Sequence, residues 1–396
     1  VCGLFFIKMK RMNTNATYKE LSIILERDST SASYKFALLR AAIEVVLEQS
    51  PFITIEEKRV AIPGWLVVEK WLLYYFPIFS AAAFIPQVSA DKDIDKPIKF
   101  RQLFSPVTGY YSTNGGYEAF FTDLRSRHIP EPIRDPFLAL SDYTFDLIRK
   151  MPMKYFGNSL ASAPEEKFYR VFQYEKGRQK QRITGPVDAL SLLDRYASFF
   201  LPKSYYELFE VMGAYILGTG SIIQRWAEFT ANLARGKSDV TVSKMLDILS
   251  TSPVEAREVR LSKQLFANML EHQGALRCVW SNKRIATKSG LNLDHVVPFS
   301  VWKNNDLWNL LPASKTVNGQ KSDKVPSGER LEASREIIFH YWTFLYKSEP
   351  EIFMREVKKS LLGNYGGTNW QHVSFEQLKK SCQHLIDERG FEPWNG

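Results

Sequence analysis

Apolar residues recur at helical spacing along most of this 396-residue chain. Residues 17–50 read as two helices. In the second, Phe36, Leu38, Leu39, Ala42, Val45 and Val46 share one stripe. Pro63, with its backbone preset for a first helical turn, opens a third helix, GWLVVEKWLLYYF. Residues 71–85 are the most membrane-like stretch. They are short for a span, contain Pro77 and follow Glu69 and Lys70, so a buried helix is expected. Residues 86–135 are polar and punctuated by Pro, Gly and Asp, which predicts loops with short elements.

Between 167 and 184 the period changes. KFYRVFQYE alternates, Lys176-Gly177 marks a turn and RQKQRIT follows, a pattern that predicts a β-hairpin. Its second strand would carry Arg178, Lys180 and Arg182 on one face. That face is either a phosphate-contacting ribbon or a solvated surface, and charge runs of this kind favour the second. Helical periodicity returns over 186–273, with PVDALSLLDRYASFF as its first helix, and again over 329–347 and 374–388. A short non-helical insertion, 275–312, interrupts it. There is no internal repeat. The expected fold is mainly α, in a multi-domain α+β chain: a helical domain over 1–135, a mostly helical middle domain over 136–260 with the hairpin, a small finger domain over 261–330, and a C-terminal helical segment over 331–396 packing on it.

Composition sharpens this picture. Apolar residues make up 45% and aromatics 14%, enough for sizeable cores and against global disorder. The net charge of +9 and pI near 9.2 favour polyanionic partners. Between Arg260 and Arg330 there are eleven Lys or Arg and five Asp or Glu, so most of the excess falls there. The three cysteines, Cys2, Cys278 and Cys382, are far apart, which argues against a disulfide framework or a Cys-rich zinc site and fits a reducing, cytoplasmic setting. The apolar run 3–7 is too short for a signal-peptide core, and the opening Val1 points to Met9 or Met12 as the natural start. Gly218-Thr219-Gly220-Ser221 lacks the Lys of a phosphate loop and reads as a plain turn. His128, His272, His340, His372 and His384 have no ligand spacing with one another.

The insertion carries the chemistry. Residues 277–280 are a candidate strand, 281–290 a loop, and 291–297 a second strand ended by Pro298. Residues 299–312 follow as a loop, and 313–321 begin a helix. Hydrolysis of a phosphodiester requires a water to lose a proton, for which His is suited near neutral pH. The departing oxygen requires a cation, and a hard ion such as magnesium prefers oxygen ligands. Asp294 and Asn318 offer a carboxylate and an amide oxygen beside His295. Adjacent strand residues point to opposite faces, so Asp294 and His295 require either a distorted strand or a site that reaches both sides of the backbone.

The segment resembles the ββα-metal fold of HNH endonucleases, and especially the HNH domain of RNA-guided CRISPR effector nucleases. There a DH-hydrophobic-VP-x-S strand leads to N, then to N-x-x-K-S-D-x-x-P-S. The matching residues here are Asp294, His295, Val297, Pro298, Ser300, Asn309, Asn318, Lys321, Ser322, Asp323, Pro326 and Ser327. The resemblance covers the finger alone. It implies His295 as general base, Asp294 and Asn318 as metal ligands, Asn309 holding the loop and base strand through backbone hydrogen bonds, and Lys321 contacting phosphate. The implied cofactor is Mg2+, with Mn2+ as a substitute. No structural zinc is expected, because only Cys278 stands near, so the finger must be held by packing against flanking helices. Lys283, Arg284, Lys288, Lys303, Lys315 and Lys324 are candidates to follow a nucleic-acid backbone.

The expectation is therefore a metal-dependent endonuclease acting on DNA, with RNA left open, and with a restriction or anti-phage role suggested by analogy. The alternative is a non-cleaving nucleic-acid-binding or scaffold module with a degenerate finger. The helical region before the finger is expected to engage a target, a protein or a guide complex, and no membrane association is expected.

Overall fold

The computed structural model describes residues 2–91, 95–125, 127–163, 168–218, 222–235, 239–251, 259–302 and 304–396, with side chains from residue 15 onward. The chain divides into two compact units. The first comprises residues 1–47 and 53–254, the second 48–52 and 255–396. The boundaries drawn from sequence at 135/136 and 330/331 fall inside helices of these units.

In unit 1 the elements run α1 (Cys2–Arg27), α2 (Tyr34–Leu47), β1 (Thr54–Ile55), β2 (Arg59–Pro63), α3 (Gly64–Phe79), α4 (Lys99–Thr113), α5 (Gly116–Arg125), α6 (Arg134–Lys150) and α7 (Pro152–Tyr155). They continue with β3 (Gln173–Tyr174), α8 (Ala189–Arg195), β4 (Ser198–Pro202), α9 (Lys203–Gly218), α10 (Ile222–Ala234) and α11 (Val242–Ser250). The core is aromatic. Trp65, Trp71 and Tyr75 of α3 are fully buried, and Tyr75 packs on Phe100 and Trp226. The charges of α3 are paired inside the protein, Lys70 with Glu44 and Glu69 with Arg125. Among the described residues no helix is long and apolar enough to cross a membrane.

Three expectations are corrected here. Residues 86–135 hold the full helices α4 and α5. Phe100, Phe104, Val107 and Tyr111 bury one stripe of α4, and the exposed Pro106 and Gly109 that masked it lie on the solvent side. Residues 198–202 are strand rather than helix. Asp188 caps α8 in a reciprocal capping box with Ser191, and the helix is over by Arg195, after which Phe199 and Leu201 alternate inward. The hairpin over 167–184 does not form among the described residues. Residues 173–174 pair instead with β4, giving the antiparallel order β1-β2-β4-β3. Arg178 and Lys180 leave no cationic ribbon, because they turn to acids: Arg178 to Glu175, Lys180 to Asp146. Residue 167 of the expected hairpin, 219–221 of the expected turn, and 236–238 and 252–258 of the helical stretch expected over 186–273 lie outside the described residues.

Unit 2 runs α12 (Arg260–Gln273), β5 (Leu276–Arg277), β6 (Arg284–Ile285), β7 (Leu291–His295), α13 (Phe299–Trp302), β8 (Leu310–Ser314), α14 (Lys315–Lys321), β9 (Val325–Pro326), α15 (Gly328–Ser348), α16 (Pro350–Val357), α17 (Trp370–Asp387) and β10 (Pro393–Trp394). The ββα finger is β7, β8 and α14. Of the strand expected at 277–280 only Arg277 is extended, in β5, which pairs with β6 in a separate two-residue ladder, and 278–280 lie in the turn that follows. The residues expected to be loop before the helix hold α13 and β8, so β8 is the true partner of β7. One apolar core joins the finger to its surroundings: Trp280, Val296, Val297, Trp308 and Leu311 pack with Phe266 of α12, Trp342 and Leu345 of α15, and Phe375 of α17. Polar ties reinforce it. Tyr341 receives the Arg277 N–H at 2.9 Å and donates to its carbonyl, and Trp342 donates to the Trp308 carbonyl. The chain end closes the unit, with β10 pairing in parallel with β9.

Candidate active site

The β7–β8 ladder is regular through its last pair, His295 opposite Leu310, with Asp294 opposite Leu311. Asp294 and His295 therefore leave opposite faces. Asp294 is 5% exposed and His295 half-buried. Strand β7 ends here, since Pro298 has no N–H to extend a ladder. An open cleft of about 860 Å³ is lined by both residues, together with Asn318, Ser322, Asp323 and Lys288.

The inward carboxylate is already engaged. Its Oδ2 accepts the Trp280 indole N–H at 2.5 Å and lies 3.3 Å from the Lys321 ammonium. Lys321, expected to contact phosphate, is instead wholly buried and does not line the cleft. Its Nζ also donates to the His295 carbonyl at 2.7 Å, and it lies near the Trp280 ring. The cation thus ties the two residues of β7 to the end of α14. Burial pushes the Asp294 carboxyl above its ordinary range, with Lys321 and Trp280 pulling it back. Burial pushes the Lys321 ammonium down, and Asp294 opposes that.

Asn309 has no exposed surface. Its Oδ1 accepts the Val297 N–H at 2.8 Å, and its Nδ2 donates to the carbonyls of Val297 and Asn304. One carboxamide thereby holds the exit of β7 and the loop before β8. The same loop is pinned from the other side. Asp306 Oδ2 accepts from Asn304, Trp308 and Ser360, and Glu356 of α16 accepts the Leu307 N–H at 2.7 Å. His295 meets this loop at Asn305: its Nε2 lies 3.0 Å from Asn305 Oδ1.

Asn318 lies on α14, whose N-terminus is capped by Ser314. Just past that helix Ser322 adopts φ +50°, a strained backbone for a residue with a side chain. Among the described residues, Lys288 is the one expected backbone-following cation that lines the cleft, and it pairs with Glu271. Lys283, Arg284 and Lys315 are exposed elsewhere on unit 2. Lys324 pairs with Glu392 at 2.5 Å. Lys303 lies outside the described residues, and Arg178, Lys180 and Arg182 belong to unit 1. Lys263 of α12, not singled out by sequence, also lines the cleft. Nothing in an amphipathic helix marks one exposed lysine over the next. Asn305 was equally hidden, one polar residue in an Asn-Asn-Asp loop.

Asp294 and Asn318 both line the cleft, and a carboxylate with an amide oxygen is the kind of hard donor set that suits magnesium. Among the described residues no three His, Cys, Asp or Glu side chains gather into a metal-holding group.

Comparison with known families separates the two units. The family described as a domain of unknown function, DUF8808, matches residues 14–249, more than half of the chain. The chain belongs to the DUF8808 family. That match falls on the helical region of unit 1, and the HNH endonuclease family matches residues 278–327, from Cys278 through the turn after α14. This DUF8808 protein therefore carries an HNH finger near its C-terminus, of nuclease type. No curated protein and no solved structure matches the chain.

Proposed function

We propose that this DUF8808 protein is a metal-dependent endonuclease that hydrolyses phosphodiester bonds of DNA. The observation that carries this is the meeting of Asp294, His295 and Asn318 at one cleft of an HNH finger. His295 takes the proton of the attacking water. Asp294 and Asn318 are the side chains that would hold magnesium, or manganese in its place. Such an ion, when bound, supplies positive charge beside the phosphate and its departing oxygen. Asn309 keeps the base strand and its loop in register, and Lys321 neutralises Asp294 from inside. Lys263 and Lys288 at the cleft rim favour a polyanionic strand. Products carry 5′ phosphate and 3′ hydroxyl ends. Unit 1 recognises a target or partner, in a cytoplasmic restriction or anti-phage role.

The test is plasmid cleavage in magnesium or manganese against a chelator control. His295→Ala should lower the rate by about 10²–10⁴-fold while leaving the fold and DNA binding in place. Cleavage that survives this change sinks the assignment. A second reading, a finger that binds without cutting, has one observation in its favour: the Asp294 carboxylate is already engaged by Lys321 and Trp280. A wild-type protein that binds DNA but leaves plasmid intact in both metals would establish it.

A further inference from the structure

We infer that Asn305 is the positioning residue for His295, and that it selects the ring tautomer with the proton on Nε2. The inference builds on the nuclease reading but is tested apart from it. The 3.0 Å contact joins His295 Nε2 to the carboxamide oxygen of Asn305. An amide oxygen only accepts, so Nε2 must be the N–H, and the lone pair able to take a proton sits on Nδ1. A neutral imidazole free in water holds both tautomers. A base whose accepting nitrogen must face one cleft benefits from holding one.

Asn305 is itself held. Its two neighbours exchange hydrogen bonds over it: Asn304 Nδ2 to Asp306 Oδ2, and the Asp306 N–H to Asn304 Oδ1, both at 2.7 Å. The Asn304 carbonyl takes Asn309 Nδ2 at 3.2 Å, and Ser360 fixes Asp306. The Asn305 Nδ2 is buried with no hydrogen-bond partner among the described residues, so within them the side chain is engaged through its oxygen. Phe299 packs beside the imidazole, with ring centroids 5.5 Å apart, and adds an apolar contact to the ring.

The experiment is long-range proton–nitrogen correlation of histidine-labelled full chain at a pH where the ring is neutral. Signals of His295 among the six histidines are assigned by their loss in His295→Gln. Wild type should show a single tautomer with Nε2 protonated. Asn305→Ala should give a tautomer mixture and a kcat lowered about 10-fold or more with KM nearly unchanged. Asn305→Asp, which keeps an accepting oxygen, should restore the Nε2–H pattern. A wild-type ring protonated on Nδ1, which the reversed amide would impose, overturns the inference without any variant. So does Asn305→Ala with tautomer and rate unaltered. If wild type does not cleave, the nuclease reading fails, and the nitrogen spectra still decide the role of Asn305.

Discussion

Lys321 carries its charge inside the protein, against Asp294 and the His295 carbonyl. Removing one partner of a buried pair leaves the other uncompensated. Lys321→Met should therefore lower the stability of unit 2 by about 3–5 kcal/mol in urea unfolding. Asp294→Asn combined with Lys321→Met should recover much of that loss. Were the lysine a phosphate contact, the single variant would fold normally and only flatten the salt dependence of DNA binding. Sequence could not make this distinction. A KSD motif lysine on the surface and one buried against Trp280 are written the same way, and burial is set by residues far along the chain. Asp294, His295, Asn309 and Asn318 were legible for the opposite reason. Their spacing is local, each type suits one part of the chemistry, and the finger brings three of them to the cleft and sets the fourth in its frame.

At the scale of elements, the finger depends on a loop between α13 and β8 that α16 buttresses. Glu356 supplies the buttress by accepting the Leu307 N–H. Burial, and then the charge of Asp306, raises its carboxyl well above the usual range. The folded state thus holds this proton more tightly than the unfolded chain, whose carboxylate titrates near ~4.3. The contribution to stability is fully present below that value and is lost as pH rises through the folded one. Glu356→Gln keeps an accepting oxygen without the charge. It should be more stable than wild type by at least about 1 kcal/mol at pH 8, with the two converging near pH 4. Unfolding curves that stay parallel across that range would refute this. The elements themselves were unevenly legible. Long amphipathic helices such as α2 and α15 announce their buried stripe. The strand β8 is hidden by Pro312, whose missing N–H argues against a strand. Its carbonyl nonetheless accepts the Val279 N–H at 2.8 Å. The strand β4 is hidden because Phe-Phe-Leu after a helix continues either period.

At the scale of the whole molecule, the nuclease unit is not continuous in sequence. Residues 48–52 belong to unit 2, where Gln377 donates to the Gln49 carbonyl at 3.3 Å. Gly363 packs against the same segment. It has φ +60°, and an added Cβ would lie 2.8 Å from the Pro51 carbonyl oxygen. Gly363→Ala in the full chain should therefore destabilise unit 2 by about 1–3 kcal/mol, read as a lower midpoint of its thermal transition. An unchanged midpoint would show that the segment is dispensable. A piece of chain starting at residue 255 lacks this segment, so its cleavage behaviour would report the loss of these contacts as well as of unit 1. Nothing in the local pattern of residues 48–52 distinguishes them from an ordinary link after α2, because their partners lie in the last quarter of the sequence.

That segment also sets a timetable. Phe52 precedes Glu255 by 203 positions (255 minus 52). At synthesis rates of about 5–20 residues per second, residues 48–52 are made roughly 10–40 s before the remainder of unit 2 begins to be made. Unit 1 has α1 and α2 before this gap and all its later elements within it, so its own elements are all made before the remainder of unit 2, while residues 48–52 must stay available. Of the two units, the nuclease unit is consequently the later to complete itself, and it does so with a piece made before most of unit 1.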